Sequence, residues 1–229
     1  MNNSIDKQTD LCALKRGNER LIDFVVFITA LIFYSLSLHK GVAGIESPGD
    51  ATKFQYIGFV LGVPHSPGYP LYVIINWLWS HIPMQISVAT KINLLSAVFA
   101  AGTLTFFRRS LVYLGSARTV SLIAASALAF SRLFWTRATE AGPGAMSYFL
   151  ISLIIFFIIR RHFKNQDSDL WWALVFTFIA AWHDPLCLWL SPITILYIIF
   201  SPHVAWRKKA AWLACAAGLI IGISLYLFI

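Results

Sequence analysis

Nine side chains able to do acid, base or charge chemistry stand where apolar runs give way to polar segments: Asp50, Lys53, His65, Lys91, Arg132, Arg137, Glu140, His183 and Asp184. A carboxylate such as Asp50 or Glu140, held at a water boundary, can take the proton of a hydroxyl or ligate a divalent cation, because burial near lipid raises its pKa. Lys91 and Arg137 can neutralise a phosphate, the lysine as a compact point charge. His65 and His183 can accept or hand on a proton. Tyr69 belongs to Pro64-His65-Ser66-Pro67-Gly68-Tyr69-Pro70, where each proline fixes its own φ and extends the residue before it, as suits a rigid pocket wall.

Each of these has a plainer reading. Asp50 follows the turn signal Ser47-Pro48-Gly49 and precedes Phe54, Ile57 and Leu61 at helical spacing, the usual setting of an N-cap before an amphipathic helix. Arg137 and Glu140 are spaced i, i+3 and would pair on a helix. His183-Asp184 before Pro185 could simply close a helix, and a lone His65 could be structural.

The elements that must position these groups are set by composition. Of 229 residues, 58% are hydrophobic and 12% charged. Soluble domains carry about 25% charged residues, so there is too little polar surface here to cover a water-soluble globule. The chain is all-α and polytopic in a membrane. Its net charge of +8 arises from short clusters between apolar runs rather than from a basic stripe, which excludes a nucleic-acid partner. Cys12, Cys187 and Cys215 have no disulfide or metal spacing and read as apolar filler. No CxxCH occurs, and of the six histidines only His39 and His183 end a crossing, so haem or pigment binding is not supported. No metal site is assigned; a divalent cation enters only as a possible partner of Asp50.

Seven apolar runs read as crossings: 21–38, 92–107, 120–135, 145–159, 170–182, 186–200 and 210–229. An eighth stretch, 69–84, is broken by Asn76, Ser80, His81 and Pro83. If it does not cross, Arg108/Arg109/Arg118, Arg160/Arg161/Lys164 and Arg207/Lys208/Lys209 join the basic N-terminus on the cytoplasmic side, 13 of the 18 Lys and Arg. It is therefore taken as re-entrant or interfacial, with Tyr69, Tyr72, Trp77 and Trp79 as interface anchors. Residues 1–20 form a cytoplasmic segment, 21–229 a single transmembrane domain, and 39–91 an outer loop with interfacial helices. All nine chemical side chains then share the outer face. Ionisable groups at membrane depth cost about 2.5–3.5 kcal/mol each on insertion scales, so they pair or serve a site.

The stretch from Pro48-Gly49-Asp50 through Leu61-Gly62-Val63-Pro64-His65-Ser66-Pro67-Gly68-Tyr69-Pro70-Leu71-Tyr72, with Asn93-Leu94-Leu95-Ser96-Ala97, Ala129-Phe130-Ser131, Ala138-Thr139-Glu140-Ala141 and His183, resembles the N-terminal part of a bacterial membrane family. That family is related to the transmembrane O-mannosyltransferases of the GT-C glycosyltransferase class. The resemblance implies a multi-spanning protein of the bacterial inner membrane that takes a sugar from a polyprenyl-phosphate carrier at the outer face. It implies Asp50 and Glu140 as catalytic acids, and His65, Tyr69, Lys91, Arg137 and His183 around the sugar and lipid phosphate. Three departures stand beside it: Lys53 where the family has Glu, Ser66 where it has Pro, and Gly142-Pro143-Gly144 where it has Glu-Val-Tyr. Family members also carry further crossings, so the chain is expected to be a fragment or shorter than its relatives. The alternative is a catalytically silent relative serving as a structural subunit, with membrane lipid and other membrane-protein subunits as partners.

Overall fold

The computed structural model describes residues 2–38, 41–42, 50–65, 68–164, 166–184, 187, 194 and 196–197, with side chains from residue 18 in the first helix. Eight helices follow in order: α1 (Asn2–Leu36), α2 (Ala51–Val60), α3 (Pro70–Ser80), α4 (Val88–Tyr113), α5 (Arg118–Ala129), α6 (Arg132–Thr139), α7 (Gly144–Lys164) and α8 (Asp167–His183). No strand occurs among the described residues.

The central element is α4. Ser87 starts it in an extended conformation and accepts a hydrogen bond from the Thr90 amide on its side-chain oxygen. Its 26 residues at 1.5 Å each give about 39 Å, enough to cross a bilayer. Around it pack α1, α2, α3, α5, α6 and α7, while α8 lies against α7 and α3. Gly102 lets α4 and α7 meet closely, since a Cβ there would stand 2.6 Å from the Phe149 ring.

Among the described residues, α4 and α7 are each long and apolar enough to span a membrane, and the pair α5 and α6 forms a third candidate bent by 69°. The expected single crossing over 120–135 is thus broken. Phe130 ends α5 at φ −92°, ψ 1°, and Ser131 restarts the chain extended while its hydroxyl donates to the Leu128 carbonyl. The first run is part of a longer helix that continues back through the polar segment to Asn2. Nearly all of the 186–200 run and the whole of 210–229 lie outside the described residues. At about 15 and 17 Å, α2 and α3 are too short to cross. This agrees with an interfacial placement of the 69–84 stretch.

The two ends of the α4 bundle differ chemically. At one end Arg108, fully buried, pairs with both Glu19 and Asp23 of α1, and Arg118 reaches Glu19 at 2.8 Å. Arg160 pairs with Asp169 across the α7–α8 turn. A buried guanidinium tolerates this setting because its charge is matched there. At the other end Phe54, Tyr72, Ile92, Ala141, Met146 and Cys187 form an apolar floor drawn from α2, α3, α4, α7 and the residues around them. The candidate site rests on that floor.

Candidate functional site

Asp50 stands immediately before α2 and in the N-cap position, but its side chain makes no capping bond. The carboxylate turns instead to Lys53 (Nζ–Oδ1 3.1 Å) and His65 (Nε2–Oδ2 3.6 Å). Lys53 also donates to His65 Nδ1 at 3.3 Å. An ammonium has no lone pair, so His65 Nδ1 is the acceptor and the ring proton sits on Nε2, facing Asp50. The three side chains, each about half exposed, form a closed ring at the mouth of the site.

Behind this ring Tyr69 holds a left-handed backbone, φ 46° and ψ 49°, between Gly68 at φ 91° and Pro70, the first residue of α3. For an aromatic residue this conformation is strained. It aims the ring between the imidazoles of His65 and His183, 6.2 Å from each. Burial raises the Tyr69 phenol above its ordinary pKa, as do the Asp184 and Asp50 carboxylates, while Arg137 opposes them. Tyr69 is therefore within electrostatic reach of three charges from three separate segments.

The back wall is the turn from Glu140 to Gly144, and three buried side chains on three helices hold it by its backbone. Asn93 of α4 accepts the Ala141 amide at 2.9 Å, Tyr72 of α3 accepts the Gly142 amide at 2.7 Å, and His183 of α8 meets the Pro143 carbonyl at 3.1 Å. Asn93 also accepts from Gln55 of α2 at 3.0 Å, which ties the Asp50 helix to this turn. Ser147 donates to Asp184 at 2.8 Å.

The expected site residues thus divide. Asp50, His65, Tyr69, Arg137 and His183 gather in one region, and Glu140 is carried by the pinned turn. The Arg137–Glu140 ion pair does not form. Glu140 ends α6 in an extended conformation, φ −120° and ψ 149°, so the i, i+3 helical geometry is lost. Arg137 lies over Gly144 instead, close enough that a Cβ there would be 3.2 Å from its Cδ. Lys91 is buried and donates to the carbonyls of Ser80 (3.0 Å) and Ile82 (2.7 Å), closing the C-terminal end of α3. Tyr72 and Asn93 enter the site beyond the expected set, and Lys53, expected only on the same face, joins Asp50 and His65 directly. The Asn93-Leu94-Leu95 piece was the visible signal for Asn93. No group of three His, Cys, Asp or Glu side chains suited to a metal ion gathers among the described residues.

A sequence family described as the protein O-mannosyl-transferase TMEM260 N-terminal domain matches residues 50–209. The protein O-mannosyl-transferase tmem260 of Dictyostelium discoideum is 24% identical over 212 residues, which cover 88% of this chain and 25% of that protein. The protein O-mannosyl-transferase TMEM260 of Mus musculus is 27% identical over 135 residues, 59% of this chain and 19% of that protein. The chain spans a quarter or less of the length of these relatives. No solved structure matches.

Proposed function

The chain belongs to the TMEM260 protein O-mannosyl-transferase N-terminal domain family, and from that premise we propose that it carries the sugar-transfer site of a GT-C-type enzyme using a polyprenyl-phosphate-linked sugar. The observation that carries this reading is the Asp50 carboxylate, turned away from its capping position towards Lys53 and His65 at the mouth of a site backed by the Glu140–Gly144 turn.

In this reading Asp50 takes the proton of the acceptor hydroxyl as the hydroxyl oxygen forms its bond to the sugar's anomeric carbon. The bond from that carbon to the carrier's phosphate oxygen breaks, and the phosphate leaves with the electron pair. Arg137 and Lys53 offset the charge that develops on it. Glu140 orients the acceptor from the back wall. Lys91 acts by closing the C-terminal end of α3, the helix whose opposite end carries Tyr69 and Tyr72. A positioned general base contributes about 10²–10⁴-fold in rate. The topology that fits has α1, α4, the bent α5–α6 pair, α7, α8 and the runs 186–200 and 210–229 as seven crossings. The N-terminus is then cytoplasmic and the site faces the outer side of a bacterial inner membrane.

One observation favours a second reading. The Lys53 ammonium lies directly on Asp50, as it would in a silent relative that keeps the fold to assemble with other membrane subunits. Incubating the chain in nanodiscs with polyprenyl-phosphate mannose and a threonine-containing peptide separates the two. Mannosylated peptide with release of polyprenyl phosphate is the expected result. Donor binding without transfer supports the silent subunit.

A further inference from the structure

The bent pair α5 and α6 encloses, with α4 and α7, a groove of about 370 Å³. Its chemistry is that of hydrocarbon. The hydroxyls of Thr103, Ser110, Ser131 and Ser152 line it, and each already donates to a backbone carbonyl three or four residues back, at 2.7–2.9 Å. None of them calls for a polar ligand. The groove opens between Leu133 and Ile155, which line it and are 64% and 41% exposed. In a chain that spans a membrane, that opening faces lipid.

One end of the groove is charged. Gly144, Tyr148, Ile151, Ser152 and Ile155 recur at helical spacing and form one stripe along α7. The last four line the groove, and Arg137 lies over the first, where a Cβ would be 3.2 Å from its Cδ. On α6, Leu133 lines the groove, and Arg137 is four residues on, the next position of the same face. Both walls therefore lead to the same guanidinium. Phe134 of α6 and Tyr148 of α7 stack at 5.7 Å and join the two walls. Beyond the groove, the charge of Arg137 reaches the Tyr69 phenol, as does that of Asp50. An apolar groove thus ends at an exposed cation on the edge of the Asp50 site.

We infer that this groove seats the first part of the donor's polyprenyl tail, with the lipid phosphate at Arg137. The inference rests on the transferase reading above and adds the route of the donor, sideways from the bilayer between α6 and α7. Room and charge select this occupant. A hydrocarbon carbon fills about the space of a water molecule, about 30 Å³, so the groove holds roughly a dozen carbons of one chain, and the second chain of a phospholipid finds no place. Bilayer hydrocarbon is as apolar as the groove, so the tail gains packing there rather than escape from water. The phosphate on Arg137 then decides which lipid stays.

Because packing alone shifts affinity little, the position of the tail is the direct readout. Polyprenyl phosphate carrying a diazirine near the phosphate end of its tail is photolysed with the full chain in nanodiscs, and the labelled peptides are mapped. Labelling is expected within residues 128–134 and 148–155, suppressed by unlabelled polyprenyl phosphate and not by excess phosphatidylglycerol. Leu133→Trp with Ile155→Trp fills the groove from its open edge, where the fold tolerates bulk, and an unchanged unfolding temperature checks this. That variant and Arg137→Met are each expected to cut the labelling about tenfold, the second by removing the phosphate's counter-ion. Carrier-specific labelling on other helices, or labelling that survives either variant, would show that the tail lies elsewhere while the transferase reading stands. Equal suppression by phosphatidylglycerol would make the groove a general lipid seat and overturn the inference. If unlabelled polyprenyl phosphate suppresses no labelling anywhere, the chain does not bind the carrier, and the transferase reading fails with the groove.

Discussion

Replacing Asn93 with leucine tests the physical core of the site. Asn93 Oδ1 accepts from Gln55 Nε2 at 3.0 Å and from the Ala141 amide at 2.9 Å, and the residue is 1% exposed. Leucine keeps the branched outline with bulkier methyl groups, so no cavity is left and overpacking adds to the cost. The Ala141 N–H is left buried without its acceptor, which costs about 1–3 kcal/mol, and the lost Gln55 bond adds about 0.5–1.5 kcal/mol. Together these predict about 2–4 kcal/mol, or an unfolding temperature lower by about 5–15 °C for a chain of this size. Intrinsic tryptophan fluorescence during heating in a fixed detergent or nanodisc reads this directly. Gln55→Leu together with Asn93→Leu should be less destabilising than the two single changes added, because the first removes a donor that the second strands. Donor-lipid binding should weaken alongside, since the turn carrying Glu140 loses one of its three supports. An Asn93→Leu protein that melts within 1–2 °C of wild type, on the scale where about 1 kcal/mol moves the transition by 2–4 °C, would refute the bracing role.

Three further outcomes follow from contacts elsewhere. Gly58→Val should loosen the α2–α3 pair by about 1–3 kcal/mol, because even a Cβ would stand 2.7 Å from the Asn76 Cβ, whereas Gly142→Ala, with nothing within 4 Å, should leave the unfolding temperature unchanged. Arg108→Met leaves Glu19 and Asp23 with Arg109 at 3.6 and 3.3 Å, and Glu19 with Arg118 at 2.8 Å, so it should lower stability by less than the about 3–5 kcal/mol of a stranded buried charge; adding Arg109→Met, which leaves Asp23 without a cation, should bring the loss into that range, seen as reduced yield of folded protein. Asp50→Asn should leave α2 and the unfolding temperature intact, since the side chain makes no capping bond.

Charge clustering carried much of the architecture. Arg108, Arg109 and Arg118 fall together at one end of the bundle, and Asp50, His65, Glu140 and His183 lie at the other, as a common face had suggested. Their partners were not legible. Glu19 and Asp23 lie 85 and more residues from Arg108, and nothing local marks them as its counter-ions. The break at Phe130-Ser131 was also hidden, because no proline or glycine interrupts an apolar run that continues on both sides. The i, i+3 spacing of Arg137 and Glu140 misled for a definite reason: the helix stops at Thr139, and spacing means a shared face only while the helix lasts. Lys91 read as a phosphate ligand from the family resemblance and its charge, whereas the carbonyls of Ser80 and Ile82, 11 and 9 residues before it, hold its ammonium. Asp50 has the sequence of an N-cap and the position of one, but its carboxylate meets Lys53 and His65 in place of the helix amides.

The claim that matters most is that Asp50 receives the acceptor's proton. Mannosyl transfer from polyprenyl-phosphate mannose to a threonine peptide, compared between the wild-type chain and Asp50→Asn at equal amounts of folded protein, tests it most directly. Asparagine keeps the shape but is not a base, so the rate is predicted to fall by about 10²–10⁴-fold with donor binding retained. Equal rates in the two proteins would contradict the account.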